Sequence, residues 1–266
     1  MLLHVHVPVV NNPEFIRIQK LSLDKFYKGE YKLTIFNDAK SFADTSNFGD
    51  ITLKTKIQST CDEIGIDCIS IPNEEDRHKK SPSDRHSRTA NWMWTNYQSK
   101  LEEPLLVLDS DMFLISDFQI GEHAITIVPQ YRGGKIFAWP NLWWSPNPSN
   151  MPSHDLIDWY STSINGDTTD TGGKTWRFFD ANPNINKKLI KWQPSLQWNC
   201  ANNTSNVSQE VLEFCQQDIK NQNNLFWCEI YEDTFLHLRA GSNWEGIAKQ
   251  IHDERTSQLV SLFNKI

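Results

Sequence analysis

The chain has no long apolar run. Nowhere in its 266 residues does it approach the roughly 18 consecutive apolar residues of a membrane-spanning helix. Its opening, MLLHVHVPVV, lacks the basic region and long apolar core of a signal peptide. The expectation is a soluble, cytoplasmic protein with no membrane span. Basic residues are in deficit: 26 Lys and Arg stand against 33 Asp and Glu, a net charge of −7. That argues against a nucleic-acid surface. Cysteine is sparse. Cys61, Cys68, Cys200, Cys215 and Cys228 are odd in number and show no CxxC spacing. With no CxxC metal spacing, they read as reduced thiols rather than a thiolate zinc site or a disulfide framework. Sequons at Asn202, Asn203 and Asn206 matter only in a secreted chain. Glycine is missing from Val9-Val10-Asn11-Asn12-Pro13, the turn after the first strand. There is no internal repeat and no low-complexity segment.

Tryptophan is abundant: 11 residues, concentrated between Trp139 and Trp198. Aromatic faces stack on sugar rings, and they equally fill cores. The length suits one α/β domain.

The first half alternates strands and helices. LLHVHVPVV (2–10) is a strand. Asn12-Pro13-Glu14 then supplies an N-cap, a first-position proline and a first-turn acid for a helix to about Tyr27. YKLTIF (31–36) is a second strand ending at Asn37-Asp38. A second helix starts near Asp50, with Leu53, Ile57, Cys61 and Ile64 at helical spacing and Gly65 closing it. IDCISIP (66–72) is a third strand and the charged stretch 73–86 a surface loop. A third helix starts near Ser87, with Ala90, Trp94, Tyr97 and Leu101 on one face. PLLVLDSDMFLI (104–115) holds a buried strand that breaks at its first Asp.

This order predicts a mostly parallel sheet with helices on both faces. Ligands bind at the C-terminal edge of such sheets. Three polar strand ends meet there: His6 to Pro8, Asn37-Asp38, and Asp109-Ser110-Asp111. AITIVPQY (124–131) is a further strand. The region 133–194 reads as long loops with a small antiparallel section covering the site. Residues 207–221 read as a helix, 229–244 as a short strand and a Gly-containing turn, and 245–264 as a last helix.

Two Asp at i and i+2 are common by chance. Here the pair directly follows an apolar strand, where its carboxylates can face one cation. Hard divalent ions prefer such oxygen ligands, and a metal there can bridge a diphosphate and take up leaving-group charge. His237 ends the apolar strand FLHL and precedes a Gly-containing turn. A lone His is usually structural, but neutral imidazole suits Mn²⁺.

LVLDSDMFL resembles the DxD motif of GT-A-fold glycosyltransferases. The segment from His237 through Gly241 to Trp244 resembles their late His-x-x-x-Gly element, and its Gly and Trp are similar to the end of the glycogenin-like group. That group has Lys-Pro-Trp where this chain has Ser242-Asn243-Trp244. Arg239 or the metal takes the place of the lysine, or the chain belongs to another GT-A branch. The resemblance implies a GT-A, Rossmann-like fold, with residues 1–130 as the nucleotide-sugar-binding half and 131–266 as the acceptor-binding half of one compact domain. It implies a hexosyl- or pentosyltransferase using Mn²⁺ or Mg²⁺, a nucleotide-sugar donor (UDP favoured, GDP the alternative) and a glycan or small hydroxyl acceptor. Asp111 and His237 would hold the metal, with Asp109 as a further ligand or a ribose contact. The backbone of Val7, Pro8 and Val9 and the side chains of Asn37 and Asp38 would hold the base, and Arg88 and Ser110 would also meet the nucleotide. Arg239, Gly241, Asn243 and Trp244 would meet the donor diphosphate or sugar.

The reaction needs a general base near the acceptor if it inverts. Asp170, before Thr171-Gly172-Gly173, is the candidate; a simple turn is the alternative. Rival readings are a haloacid-dehalogenase-type phosphatase with Asp109 as nucleophile, a sugar nucleotidyltransferase, and a non-catalytic carbohydrate-binding module. The second normally carries a Gly-rich cationic loop after its first strand, and the third leaves the acid pair and His237 unexplained.

Overall fold

The computed structural model describes residues 1–43, 46–72, 81–194, 207–220, 228–239, 241–242 and 246–266. The chain runs β1 (Leu3–Val9), α1 (Pro13–Phe26), β2 (Tyr31–Asn37), α2 (Leu53–Ile64), β3 (Asp67–Ser70), α3 (Pro82–Asn96), β4 (Leu105–Leu108), β5 (Met112–Leu114), β6 (Ile125–Arg132) and β7 (Lys135–Ser145). It continues with β8 (Ser163–Ile164), β9 (Asp167–Thr168), α4 (Trp176–Ala181), β10 (Lys187–Leu189), β11 (Trp192–Pro194), α5 (Gln209–Lys220), β12 (Cys228–Tyr231), β13 (Phe235–Leu238) and α6 (Lys249–Phe263).

A mixed α/β architecture results, with a largely parallel central sheet flanked by helices. The seven strands of that sheet lie in the order β10-β6-β7-β4-β1-β2-β3. All pairs are parallel except the two made by β7. Val5, Val7, Val9, Ile35, Leu106 and Leu108 lie in its buried core, as near-continuous apolar strands of a doubly covered sheet must.

A second, antiparallel sheet in the order β11-β12-β13-β5 carries the segment after the acid pair and the segment around His237. Its strands alternate strictly. Cys228, Ile230, Leu236 and Leu238 face a separate core made with α1, α5 and α6, which includes Phe15, Phe113, Phe214 and Phe263. Phe113 meets Phe15 at 5.5 Å and Phe263 at 5.6 Å between ring centroids. Each such pair adds about 0.5–1.5 kcal/mol beyond area burial. The alternate positions, Glu229, Tyr231, Phe235 and His237, face the other way, with Phe235 in the central core. The same period of two that builds the small core therefore presents His237 and Glu229 to the cleft.

Several expectations need correction. Residues 135–145 are not loop: β7 is an 11-residue strand inserted beside β4. Gly133-Gly134, both at positive φ (54° and 76°), form the two-residue turn of the β6–β7 hairpin, a conformation that twisted hairpins require and glycine accepts. The expected division at residue 130 therefore falls within this hairpin. Pro140 and Asn141 hid the strand because they sit at a bulge, where the β6 partner jumps from Trp143 to Trp139. The stretch 229–238 is a hairpin rather than one strand. Left-handed Glu232 and Asp233 (φ 52° and 53°) turn it without the usual glycine. Helix α3 starts at Pro82, not near Ser87. Ser81 is its N-cap, and its side chain accepts a hydrogen bond from the Asp84 amide, so 81–86 is helix entry and only 73–80 remains outside the described residues. Asn12 occupies the N-cap position of α1 without capping through its side chain; its amide donates instead to Thr256 Oγ1 at 2.8 Å. The last helix is shorter than 245–264, spanning Lys249–Phe263. The sequons at Asn202, Asn203 and Asn206 lie outside the described residues or at their edge.

Candidate functional site

The acid pair sits in a tight turn between the two sheets. Asp109 follows β4, its amide donates to Asn141 O at 2.8 Å, and Met112 N returns to Asp109 O at 3.2 Å. The β7 bulge thus brings Asn141 against the pair, and its amide also bonds Asp109 Oδ2. Beneath the turn lies Gln19, a fully buried residue of α1. Its Nε2 donates to the carbonyls of Asp109 (2.9 Å), Ser110 (3.2 Å) and Met112 (3.2 Å). One side-chain amide therefore holds three of the turn's carbonyls. Gln19→Ala is expected to destabilise the protein by about 1–3 kcal/mol by stranding these acceptors. Urea denaturation measures it, and wild-type stability would mean the turn holds without the amide.

The His237 strand is sewn to the same turn. Leu238 N donates to Asp111 O at 2.8 Å, and Ser242 N donates to Asp111 Oδ2 at 3.0 Å. Gly241 packs so closely that a Cβ there would stand 2.6 Å from Asp111 Cβ. Only glycine lets the two segments meet.

Asp109, Asp111 and His237 offer ligand atoms that all lie within 4.8 Å of one another. Asp111 is 1% exposed and His237 6%. His237 Nε2 faces Asp111 Oδ1 at 3.3 Å, and its Nδ1 bonds Glu229 Oε2 at 2.8 Å. Tyr231 donates to that same Glu229 oxygen at 2.7 Å. A carboxylate on Nδ1 fixes the tautomer and turns the Nε2 lone pair towards a cation. Asp111 Oδ1, though buried, has among the described residues only the 3.3 Å approach of His237 Nε2 and no well-formed hydrogen bond. Two carboxylates and an oriented imidazole fit Mn²⁺ or Mg²⁺.

The electrostatics reflect crowding. Burial, then the neighbouring Asp111, push the Asp109 carboxyl up to about 6. Burial opposes charge on His237, but Asp111 and Glu229 outweigh it and raise the imidazole to about 10. Burial and Glu229 hold the Tyr231 hydroxyl protonated, well above its ordinary range.

The cluster forms the floor of a cleft of about 760 Å³. Pro8, Asp38, Asp109, Ser110, Asp111, Asp170, His237 and Arg239 line it. Val7, Val9 and Asn37 do not: they are fully buried. Asn37 spends its side chain on the Lys54 carbonyl and the Ala39 amide. His6 is also buried, against Phe36 at 4.9 Å. Asp38 reaches the cleft wall, but its carboxylate already takes Lys40 Nζ at 3.0 Å and the Thr89 hydroxyl at 2.7 Å. Asp170 accepts from Ser83 Oγ at 2.5 Å and Thr171 N at 2.7 Å. Asn243 and Trp244 lie outside the described residues.

Arg88 is not on the cleft. The lining residues of α3 are Pro82, Ser83, Arg85, His86 and Thr89, which follow the i, i+3, i+4, i+7 stripe of a helix; Arg88 falls off it. Arg85 and His86 are therefore the side chains of this helix that would meet an anion in the cleft. Glu229 was also missed as a partner of His237, because the hairpin that pairs them was not read.

No family model matches the chain, and no curated protein matches it. Among solved structures the chain is similar to an active-site mutant of LgtC, with 9% identity and a TM-score of 0.37 over 57% of this chain and 61% of that one. It is likewise similar to the galactosyltransferase LgtC in complex with donor and acceptor sugar analogs, with 10% identity and a TM-score of 0.34 over 58% of this chain and 62% of that one. The match spans less than two thirds of either LgtC chain.

Proposed function

We propose that the protein is a metal-dependent glycosyltransferase that takes its sugar from a nucleotide diphosphate donor, UDP-linked by preference and GDP-linked as the alternative. The observation that carries this reading is the Asp109–Asp111–His237 constellation on the cleft floor, at the C-terminal edge of the parallel strands, with Glu229 orienting the imidazole. Asp111 and His237 would ligate Mn²⁺ or Mg²⁺, with Asp109 as third ligand or ribose contact. The metal supplies charge for the diphosphate leaving group. Pro8 and Ser110 stand where the nucleotide would lie, and Arg85, His86 and Arg239 are the side chains that would meet its phosphates. Asp170 is the candidate base, on the cleft wall; the acceptor is a glycan or another hydroxyl compound.

The rivals fit less well. A haloacid-dehalogenase-type phosphatase needs Asp109 free to attack, whereas one of its oxygens is bonded by Asn141 and the other accepts from the Ser110 amide at 2.8 Å. A nucleotidyltransferase needs a glycine-rich cationic loop after β1, where this chain has Val9 to Pro13.

Calorimetric titration with UDP, GDP, CDP and ADP, in Mn²⁺ and then in EDTA, tests the proposal. One nucleotide should bind only with metal, and Asp111→Ala should abolish that binding. Binding that ignores both the metal and Asp111 would sink the reading.

A further inference from the structure

Four of the described tryptophans fill the core. Trp143 and Trp159 are 1% exposed and Trp94 and Trp144 4%. Trp192 differs: it is 45% exposed, on an edge strand of the small sheet, and it lines the cleft. Its cross-strand partner is Tyr231, and the two rings stack at 6.0 Å with 24° between planes. Tyr231 in turn stacks on Trp139 at 6.2 Å and 21°. Trp139 meets His237 edge-on at 5.6 Å. A continuous ladder of three rings thus runs from the metal-ligand cluster to the outside of the cleft, with its last indole open to solvent.

The sheet order says which side of the cleft this is. Pro8 and Asp38 come from β1 and β2, on one side of β4 and its acid pair. Trp139 comes from β7, on the other side, and so does Tyr131 of β6, which is 58% exposed and lines the same cleft. If the nucleotide lies over β1 and β2, the ladder lies across the metal from it. An exposed stacked indole in a cleft that polar Gln130, Arg132 and Thr171 also line suits a ligand with one apolar face and a polar rim. A pyranose has that form: C–H bonds gather on a face and hydroxyls point outward. A flat indole covers such a face, as it covers other apolar surfaces.

We infer that Trp192, backed by Tyr231 and Trp139, is a stacking ledge for a pyranose ring of a saccharide acceptor. The inference rests on the glycosyl-transfer reading for the word acceptor, and it makes Trp192 a determinant of acceptor choice.

The test uses the full chain in EDTA with no nucleotide, and lactose, cellotriose and chitotriose as probes. Tryptophan is replaced biosynthetically by fluorotryptophan, and the Trp192 fluorine resonance is assigned by its loss in Trp192→Phe. At least one saccharide should shift that resonance in the otherwise unaltered protein. Trp192→Ala should weaken binding of that saccharide about tenfold, and Trp192→Phe should restore most of it. The inference is overturned if none of the three moves the Trp192 resonance, or if Trp192→Ala binds as tightly as the parent. With neither metal nor nucleotide present, the two readings fail separately. Saccharide on Trp192 without nucleotide binding elsewhere keeps the ledge and discards transfer; nucleotide binding without saccharide discards only the ledge.

Discussion

His237→Ala is expected to lower metal-dependent turnover about a thousandfold, and Glu229→Gln about ten- to a hundredfold. On the proposed reading the first substitution removes a ligand. The second keeps the shape of Glu229 but neutralises the group that accepts from Nδ1, so the imidazole loses basicity and its fixed orientation without leaving the site. The order of the two effects is the content of the prediction, because it follows from geometry: His237 Nε2 faces Asp111, while Glu229 reaches the cluster through Nδ1. His237→Ala also takes one hydrogen-bond partner from the buried Glu229 carboxylate, at a cost of about 1–3 kcal/mol in stability. Turnover must therefore be read below the melting transition of each variant. Donor hydrolysis with Mn²⁺ gives the rates, and titration of Mn²⁺ gives the affinities. Wild-type Mn²⁺ affinity in His237→Ala would remove the imidazole from the ligand set. A larger loss in Glu229→Gln than in His237→Ala would make Glu229 itself the contact.

The acid pair and His237 were legible because each ends an apolar strand, and apolar runs are the strongest local signal a sequence carries. The β-α order of the first half was legible for the same reason. What escaped was long-range. Nothing local says that Met112–Leu114 leaves the sheet of β4 to pair with β13, or that Gln19, ninety residues earlier, ends under the turn at Asp109. Asn141 was hidden twice, by the proline beside it and by a bulge that exists only because β6 and β4 flank β7. Glu229 could have been found by reading Glu232-Asp233 as a turn, but left-handed acidic residues are weak turn signals beside Asn-Gly. The nucleotide side was read one layer too deep. Val7, Val9 and Asn37 alternate correctly with the strand ends but point into the core. Arg88 was carried over from the resemblance alone, and on α3 it lies off the stripe that lines the cleft.

Metal affinity should rise about tenfold per pH unit between about pH 6 and 10, and about a hundredfold per unit just below that window. The cation needs a neutral imidazole and two carboxylates. Without it, His237 keeps its second proton up to about 10 and Asp109 keeps its own up to about 6. Binding at about pH 7.5 therefore expels one proton, from Nε2, and binding below about pH 6 expels two. Both groups have folded-state values above their ordinary ones of 6.5 and 3.8. Their contribution to stability is thus fully present below those ordinary values. As pH rises it is lost, through about 6 for Asp109 and about 10 for His237. The metal-free protein should lose stability from this site as pH climbs, while the bound metal stabilises it increasingly. The gap in Tm with and without Mn²⁺ should therefore widen with pH. Calorimetry in two buffers of different ionisation enthalpy counts the protons, and melting curves from acid to alkaline pH follow the gap. An enthalpy independent of buffer and a gap independent of pH would mean that no proton leaves. His237 and Asp109 would then not be giving up their protons to a cation, and the three side chains would form a closed ion-pair network instead.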